Sequence, residues 1–258
     1  MEHSHIKYEL RSFESNYMQE ALVERIIELA VYASGVSRLT PGGMSVLDVG
    51  CGRGELLKAF REKGFRALYG LDIDGKCVEL SGEFAKCTQG DASDIRRIYK
   101  GAKFDIVITS HMLEHCENPK KTLLALGELS RRWVIVAVPN AQATRAIGAS
   151  MVKKVYSRES HIQVWDFSHF HNFLAIHGKM NIKIVAGDLI RVVPTYRIRR
   201  LIGKRLAEKV MRPIERKMLP RGFPCFCDSL IALCETSRTV ACSDKLDDLD
   251  GQLRVSEP

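Results

Sequence analysis

The stretch Val46-Leu47-Asp48-Val49-Gly50-Cys51-Gly52-Arg53-Gly54-Glu55-Leu56-Leu57 decides the fold of this chain. Its apolar start predicts a buried strand. Three glycines then alternate with other residues, and the pair Leu56-Leu57 opens a helix. Glycine lacks a Cβ and tolerates φ > 0, so such a loop lets a ligand approach the backbone closely. The next apolar segment closes on Asp72. That is roughly the spacing, about 20 residues, at which a doubly wound fold presents an acid to a ribose. The loop departs from the dinucleotide fingerprint, because Glu55 stands where the third glycine of G-x-G-x-x-G belongs. A carboxylate there would repel a pyrophosphate.

Outward from this stretch, helical and strand patterns alternate. Leu22, Ile26, Leu29 and Ala30 predict an amphipathic helix over 14–34, and Thr40-Pro41-Gly42-Gly43 predicts a turn into the first strand. Helices are expected at 54–63, 75–82, 93–99 and 119–130, and strands at 66–71, 85–89, 104–109 and 132–138. This order demands a parallel sheet with helices on both faces. Residues 141–158 read as helical, though they hold Gly148 and a basic cluster. Asp166 is a candidate N-cap for a helix at 167–177 that Gly178 ends, and 181–187 and 225–235 complete the strands. From Thr236 the sequence turns polar and acidic and reads as a mobile tail.

At 258 residues, 45% of them hydrophobic, the chain can bury a sizeable core. It holds no apolar run long enough to span a bilayer, and its start lacks the apolar segment of a signal peptide. The eight cysteines, at 51, 77, 87, 116, 225, 227, 234 and 242, form no C-x-x-C pair. That pattern argues against zinc and against a disulfide framework, and fits a reducing cytoplasm. The net charge of +8 is concentrated. Residues 189–224 carry eleven Lys or Arg against two Glu, a net +9, and the remainder sums to −1. Within that segment Ile198, Ile202, Leu206, Val210 and Ile214 recur every fourth residue, among Arg197, Arg199, Arg200, Lys204, Arg205, Lys209, Arg212, Arg216 and Lys217. The pattern predicts a basic amphipathic helix, bent near Pro213. Three roles stay open for 197–217: a solvated face of a core helix, docking to an anionic acceptor or membrane surface, or docking to RNA. No aromatic platform beside the charges supports RNA.

With its spacing of glycines after Asp48, the opening stretch resembles motif I of class I S-adenosylmethionine-dependent methyltransferases. Gly70-Leu71-Asp72-Ile73-Asp74, Gln89-Gly90-Asp91-Ala92, Phe104–Ser110 and Trp133–Asn140 resemble the ends of that family's second to fifth strands. His111-Met112-Leu113-Glu114-His115-Cys116-Glu117-Asn118-Pro119 resembles the loop after strand four in the ubiquinone-biosynthesis-like subset. The resemblance implies a Rossmann-like, doubly wound sheet of seven strands, mostly parallel, with the last antiparallel. It implies S-adenosyl-L-methionine as cofactor. Asp48, Gly50, Cys51, Gly52 and Gly54 would hold its amino acid end, Asp72 its ribose and Asp91 its adenine, with Ile73, Ala92 and Ser110 as further cofactor-binding residues. It also implies a leading helix across the cofactor mouth. The domains follow as a helical cap at 1–40, a cofactor-binding core at 41–188, a basic insertion at 189–224, a final core strand at 225–235 and a tail at 236–258.

The expected activity is methyl transfer to a hydroxyl or amine of a small-molecule, glycan or lipid-linked acceptor, with negative charge matching the basic segment. A transfer-RNA methyltransferase and a non-catalytic scaffold that binds the cofactor are the alternatives. The expected location is the cytoplasm, with peripheral attachment to the inner membrane face through the basic helix. Methyl transfer needs alignment and an outlet for a proton, so a base belongs near the acceptor. His115, His111 and Glu114 are the candidates, with a structural role open for each. Some relatives carry Glu-x-x-Glu-His here and use a divalent metal. Glu114 and His115 match, His111 replaces the first Glu, and His161 or His169 would be the fourth ligand, a set that favours a transition metal. The expectation is that no metal is bound. Trp165 and Phe167 are equally suited to a pocket wall and to core.

Overall fold

The computed structural model describes residues 17–142, 161–190, 209–210 and 213–236. Seven strands form one sheet in the order β3-β2-β1-β4-β5-β7-β6. They are β1 (Ser45–Val49), β2 (Ala67–Asp72), β3 (Lys86–Gln89), β4 (Phe104–Ser110), β5 (Ser130–Pro139), β6 (Met180–Gly187) and β7 (Ser229–Thr236). The first five pair in parallel, and β7 runs antiparallel to both β5 and β6. The Rossmann-like, mostly parallel sheet expected from the alternation is therefore the fold.

Alternate residues of the central strands feed opposite faces. Val46, Ile106, Ile108, Trp133 and Ile135 pack with α1 (Tyr17–Val36) and α2 (Glu55–Glu62). Leu47, Val49 and Val107 pack on the other face with Leu126 and Leu129 of α5 (Pro119–Leu129), beside Ile95 of α4 (Ile95–Ile98). Strands covered on both faces read as near-continuous apolar runs, as these do. Each such side chain contributes about 1.5–3 kcal/mol by leaving water. The remaining helices are α3 (Gly75–Ser81), capped by Asp74 through the Lys76 amide, α6 (Phe167–Asn172) and α7 (Leu219–Gly222).

Helix α1 is part of the core. Ile26, Ala30 and Ala33 are fully buried. Arg25 Nε donates to the Gly187 carbonyl at 3.1 Å and Arg25 Nη2 to the Arg216 carbonyl at 3.2 Å.

Several local expectations need correction. The last strand begins at Ser229, because Pro224–Phe226 folds as a 3-10 turn that leads into it. The helix over 167–177 is α to Asn172 and then widens to a π-turn over Phe173–His177. Gly178 keeps right-handed angles while Lys179 takes φ 52°. Glycine is needed at 178 because a Cβ there would lie 2.6 Å from the Leu174 carbonyl and 2.7 Å from Leu123 Cδ2. Arg216, placed on the solvated basic face by sequence spacing, is 4% exposed. It pairs with Glu20 at 3.0 Å and Glu24 at 3.7 Å, both on α1. The rest of the basic stripe falls largely outside the described residues, as do 143–160, where a helix was expected, and the tail from 237. Val210, which is described, is 46% exposed. Among the described residues no helix is long and apolar enough to cross a membrane, and the seven described cysteines are free thiols.

Candidate active site

In this strand order the chain leaves the centre at β1, builds outward to β3, then crosses back to β4. Ligands of open α/β sheets bind where the order reverses, at the carboxyl ends of the strands. Here that point lies between β1 and β4, and it brings two loops together: the glycines after Asp48 and the histidine segment after Ser110.

The glycine loop is bound tightly to β2. The amides of Gly50 and Cys51 both donate to the Leu71 carbonyl, at 2.8 and 3.0 Å. The Gly52 amide donates to Asp72 Oδ2 at 2.8 Å, and the Gly54 amide to the Cys51 carbonyl at 3.0 Å. Four loop amides are thus engaged within the protein, and what the loop offers a ligand is a concave backbone. Gly50, Gly52 and Gly54 all have positive φ, of 81°, 52° and 86°. A Cβ would strike Met112 at Gly50 and Ser81 at Gly54, but at Gly52 it would meet open space. Cys51 turns its thiol inward, 3.6 Å from the Ser81 hydroxyl.

Asp48 is 2% exposed at the end of β1, and its Oδ1 has no hydrogen-bond partner. Burial, reinforced by the charges of Asp72, Cys87 and Glu55, raises its pKa from 3.8 to about 8. Asp72 accepts the Gly52 amide on one oxygen and the Asp74 amide, at 3.0 Å, on the other. Each oxygen keeps a lone pair for a further donor. The Gly90 amide donates to the Asp72 carbonyl at 2.9 Å, which sets the Asp91-Ala92 loop beside it. Asp91 is exposed and caps the Ser93 amide through Oδ1 at 2.7 Å. Ile73 projects with 67% exposure between these acids. The residues expected on the cofactor side are thus neighbours along one edge of the sheet.

Imidazoles dominate the other wall. Ser110 ends β4, half-buried, and His111 follows with φ 51°, its amide donating to the Ala137 carbonyl at 2.9 Å. A left-handed conformation costs a non-glycine residue about 1–2 kcal/mol, and such strain concentrates at functional positions. His111 keeps an exposed face. Burial first, then the charges of His161 and His115, lower its pKa to about 4. The backbone amides of Ile162 and Gln163 both donate to the Glu114 carbonyl, at 2.8 and 3.2 Å. This stitching brings His161 onto His115, ring centres 4.9 Å apart. Burial and His115 lower the His161 pKa to about 4. One ligand atom from each of buried Glu114, His115 and His161 lies within 4.8 Å of the others, a spacing that could hold a metal ion. His169 is not part of this group, since it is exposed and pairs with Asp166 at 2.9 Å. Trp165 is core, 5% exposed among Phe170 and Leu174, with Phe167 packed beside it.

Sequence reasoning missed two residues here. His111 Nε2 lies 3.0 Å from the hydroxyl of Ser229, the first residue of β7. The Ser229 amide in turn donates to Asp188 Oδ1 at 2.8 Å. Nothing local in the sequence marks either residue, and only the antiparallel entry of β7 brings them to this edge.

A family model described as a methyltransferase domain matches residues 17–179. A ubiquinone biosynthesis O-methyltransferase of Thiobacillus denitrificans is 29% identical over 138 residues, which cover 48% of this chain and 59% of the relative. The chain thus spans less than two thirds of the curated relatives it first matches. Among solved structures, a plantazolicin methyltransferase in complex with a triazolic desmethylPZN analog and S-adenosylhomocysteine superposes with TM-score 0.60 at 16% identity, covering 86% of this chain and 88% of that one. The magnesium protoporphyrin IX methyltransferase of Synechocystis with bound S-adenosylhomocysteine gives TM-score 0.56 at 16% identity, covering 86% of each chain. At that identity the likeness speaks for the fold.

Proposed function

The chain belongs to the methyltransferase family whose domain model matches residues 17–179, and we propose that it moves the methyl group of S-adenosylmethionine to a hydroxyl or amine of a small, anionic, lipid-linked or glycan acceptor. The observation that carries this reading is the buried, unpartnered Oδ1 of Asp48 at the end of β1, which leads into a glycine loop whose Gly52 has open space where a Cβ would stand. An orphaned buried carboxylate is costly unless a ligand supplies a donor, and the ammonium of a methionine moiety is such a donor. Asp72 retains lone pairs for a diol, Ile73 offers an exposed apolar surface to an adenine, and Asp91 has an oxygen to spare for the exocyclic amine. The residues fit the cofactor, which when bound supplies an electrophilic methyl on a sulfonium.

The chain's own work is to bind, align and manage one proton. Asp48, Asp72 and Asp91 fix the donor against β1, β2 and β3. The histidine wall after β4 faces the acceptor, where imidazoles that stay neutral at pH 7 can accept a hydrogen bond from its hydroxyl or amine, though their lowered pKa makes them weak bases. The named activity of the ubiquinone-biosynthesis relatives, O-methylation, makes a hydroxyl the first acceptor to try. The concentrated charge of 189–224 is the reason to expect an anionic one. Replacing Arg199, Arg200, Lys204 and Arg205 with Gln should weaken binding to anionic vesicles or transfer RNA, tested side by side across a salt series, and leave S-adenosylhomocysteine binding unchanged.

The direct test is calorimetry with S-adenosylhomocysteine. Asp72→Ala should weaken binding by about 1–3 kcal/mol, the cost of leaving polar ligand groups unsatisfied. A wild-type protein that binds NAD and not this ligand refutes the reading.

A second reading is favoured by the closeness of Glu114, His115 and His161. Those three would hold a divalent ion, and the ion would lower the pKa of an acceptor hydroxyl. Loss of turnover on chelation, with recovery on added Zn²⁺ or Mn²⁺, separates this reading from proton removal by imidazole alone.

A further inference from the structure

Gly70 lies inside β2 with a partner on each side. It pairs in register with Asp48 on β1 and with Cys87 on β3, the edge strand of the sheet. The glycine loop folds back toward it, because the Cys51 amide donates to the Leu71 carbonyl at 3.0 Å. A Cβ at Gly70 would lie 2.7 Å from Cys87 Sγ and 2.8 Å from Cys51 Sγ. The two sulfurs therefore converge on one point above Gly70 and are no farther apart than those two distances together. Both are free thiols, in one cluster with Leu57 of α2. We propose that Cys51 and Cys87 are a peroxide-sensitive pair, closing to a reversible disulfide that displaces the glycine loop and weakens its hold on the cofactor. The consequence for the cofactor rests on the methyl-transfer reading above, whereas the pairing of the thiols rests on geometry.

The two cysteines suit different parts of the chemistry. A thiol is oxidised most readily when it is accessible and ionised and has a second thiol at hand to resolve the sulfenic acid. Cys87 is half-buried on an edge strand, and the neighbouring Cys51 holds its pKa below the ordinary thiol value, against the effect of burial. Cys51 is 5% exposed, with its Sγ 3.6 Å from the Ser81 hydroxyl. Its pKa is raised, first by Cys87 and then by burial, and the first of these causes goes once Cys87 is oxidised. In the first step the Cys87 thiolate attacks one oxygen of hydrogen peroxide. A sulfur–oxygen bond forms, the oxygen–oxygen bond breaks, and the leaving hydroxide takes up a proton to become water. In the second, Cys51 gives up its proton and attacks the sulfenic sulfur. The sulfur–sulfur bond forms, the sulfur–oxygen bond breaks, and the hydroxyl leaves as a second water.

The new bond would not leave the loop where it stands. A disulfide is about 2.05 Å long, far shorter than the contact distance of two unbonded sulfurs, so closure draws Cys51 toward β3. The Cys51 amide shares the Leu71 carbonyl with the Gly50 amide, and the next amide, of Gly52, is fastened to Asp72. Ser81, which Cys51 Sγ touches, is also the residue against which Gly54 packs. A shift of Cys51 is therefore passed to each glycine of the loop.

The test is peptide mapping and calorimetry on the full chain before and after hydrogen peroxide, with each sample then reduced by dithiothreitol. Mapping should recover a cross-linked pair of peptides carrying Cys51 and Cys87. S-adenosylhomocysteine affinity should fall about tenfold or more, the effect of losing one hydrogen bond to a charged group. Dithiothreitol should reverse both changes. Cys87→Ser should bind S-adenosylhomocysteine as the reduced wild type does and keep that affinity through peroxide treatment. A wild type that yields no Cys51–Cys87 link under peroxide overturns the pairing, even if Cys87→Ser fails to fold. A disulfide that forms without changing affinity overturns the switch, as does an equal loss of affinity in peroxide-treated Cys87→Ser. If the reduced wild type binds no S-adenosylhomocysteine, the methyl-transfer reading falls and takes the switch with it, while mapping still decides the pairing.

Discussion

The two walls of the cleft are built in opposite ways. On the β1–β2–β3 side, polar groups are fastened through backbone amides to the same loop or to the adjacent strand end. Gly52 and Asp74 share Asp72, Asp91 caps Ser93, and the amides of Gly50 and Cys51 close on Leu71. On the β4–β5–β7 side, side chains meet across long separations, as with His111 and Ser229, 118 residues apart. The first wall is a rigid backbone cradle that a motif can encode. The second is assembled by topology, with strain and lowered histidine pKa values concentrated in it. Within one fold, the donor side is specified locally and the acceptor side is left to long-range packing, where substrate choice can vary without disturbing the cradle.

The largest effect should come from breaking the cradle where a glycine packs against unyielding backbone. Gly54→Ala places a Cβ 2.9 Å from Ser81 Cα at φ 86°. Left-handed strain of about 1–2 kcal/mol adds to overpacking of about 1–3 kcal/mol, and urea unfolding should show the sum. Gly52→Ala faces open space at φ 52°, so it should pay only the strain, about 1–2 kcal/mol. Its main loss should be in S-adenosylhomocysteine affinity. Equal stability losses with equal affinity losses would mean that Gly52 does not face the ligand.

Next in size are opposite pH dependences from the two walls. Asp48 has a folded pKa of about 8 against 3.8. The fold holds its proton over that interval while the unfolded chain releases it, so the stability due to this group falls as pH rises from 3.8 to about 8. His111 has a folded pKa of about 4 against 6.5. There the unfolded chain binds the proton first, so stability is lost as pH falls from 6.5 toward 4. Asp48→Asn should flatten the alkaline limb of the stability profile and stabilise the ligand-free protein at pH 8 by at least about 1 kcal/mol, the worth of one pKa unit. His111→Asn, which tolerates the left-handed angle, should flatten part of the acid limb, His161 contributing the rest. Finding both slopes unchanged would show that neither wall is as desolvated as its burial suggests.

How much of this could be read beforehand follows the same divide. The alternation of strands and helices, the glycine loop and the candidacy of Asp48 and Asp72 all lie in contiguous motifs, where period and spacing carry the information. His111, Glu114 and His115 were legible as a cluster, since the three sit in five residues after a strand. Their partners were not. The choice of His161 over His169 depends on Ile162 and Gln163 bonding back to Glu114, and a sequence pattern does not contain that contact. Ser229 and Asp188 look like ordinary strand-end residues until β7 is placed between β5 and β6. Arg216 failed for a related reason. Four-residue spacing put it on a polar face, but burial is decided by what packs opposite, and α1 supplies Glu20 and Glu24 there.

The smallest expected effect tests whether a carboxylate in the cradle does more than hold backbone. Asp91 accepts the Ser93 amide through Oδ1, and Asn caps a helix about as well as Asp. Asp91→Asn should therefore change stability by less than about 0.5 kcal/mol, the range of ordinary surface substitutions. Asp91→Ala should cost about 1 kcal/mol, because it removes the cap. If Asp91 only caps, S-adenosylhomocysteine affinity should follow that stability order and hold in the Asn variant. If its second oxygen takes the adenine amine, Asn and Ala should both weaken binding, each by about 0.5–1.5 kcal/mol for one hydrogen bond. An amide could rotate its oxygen toward the amine only by turning its NH₂ toward the Ser93 amide, and two donors do not pair. The Asn variant thus separates the capping role from the ligand role at a single atom. A folded Asp91→Asn protein with wild-type affinity would make this end of the cradle purely structural and move adenine recognition to Ile73 and the backbone.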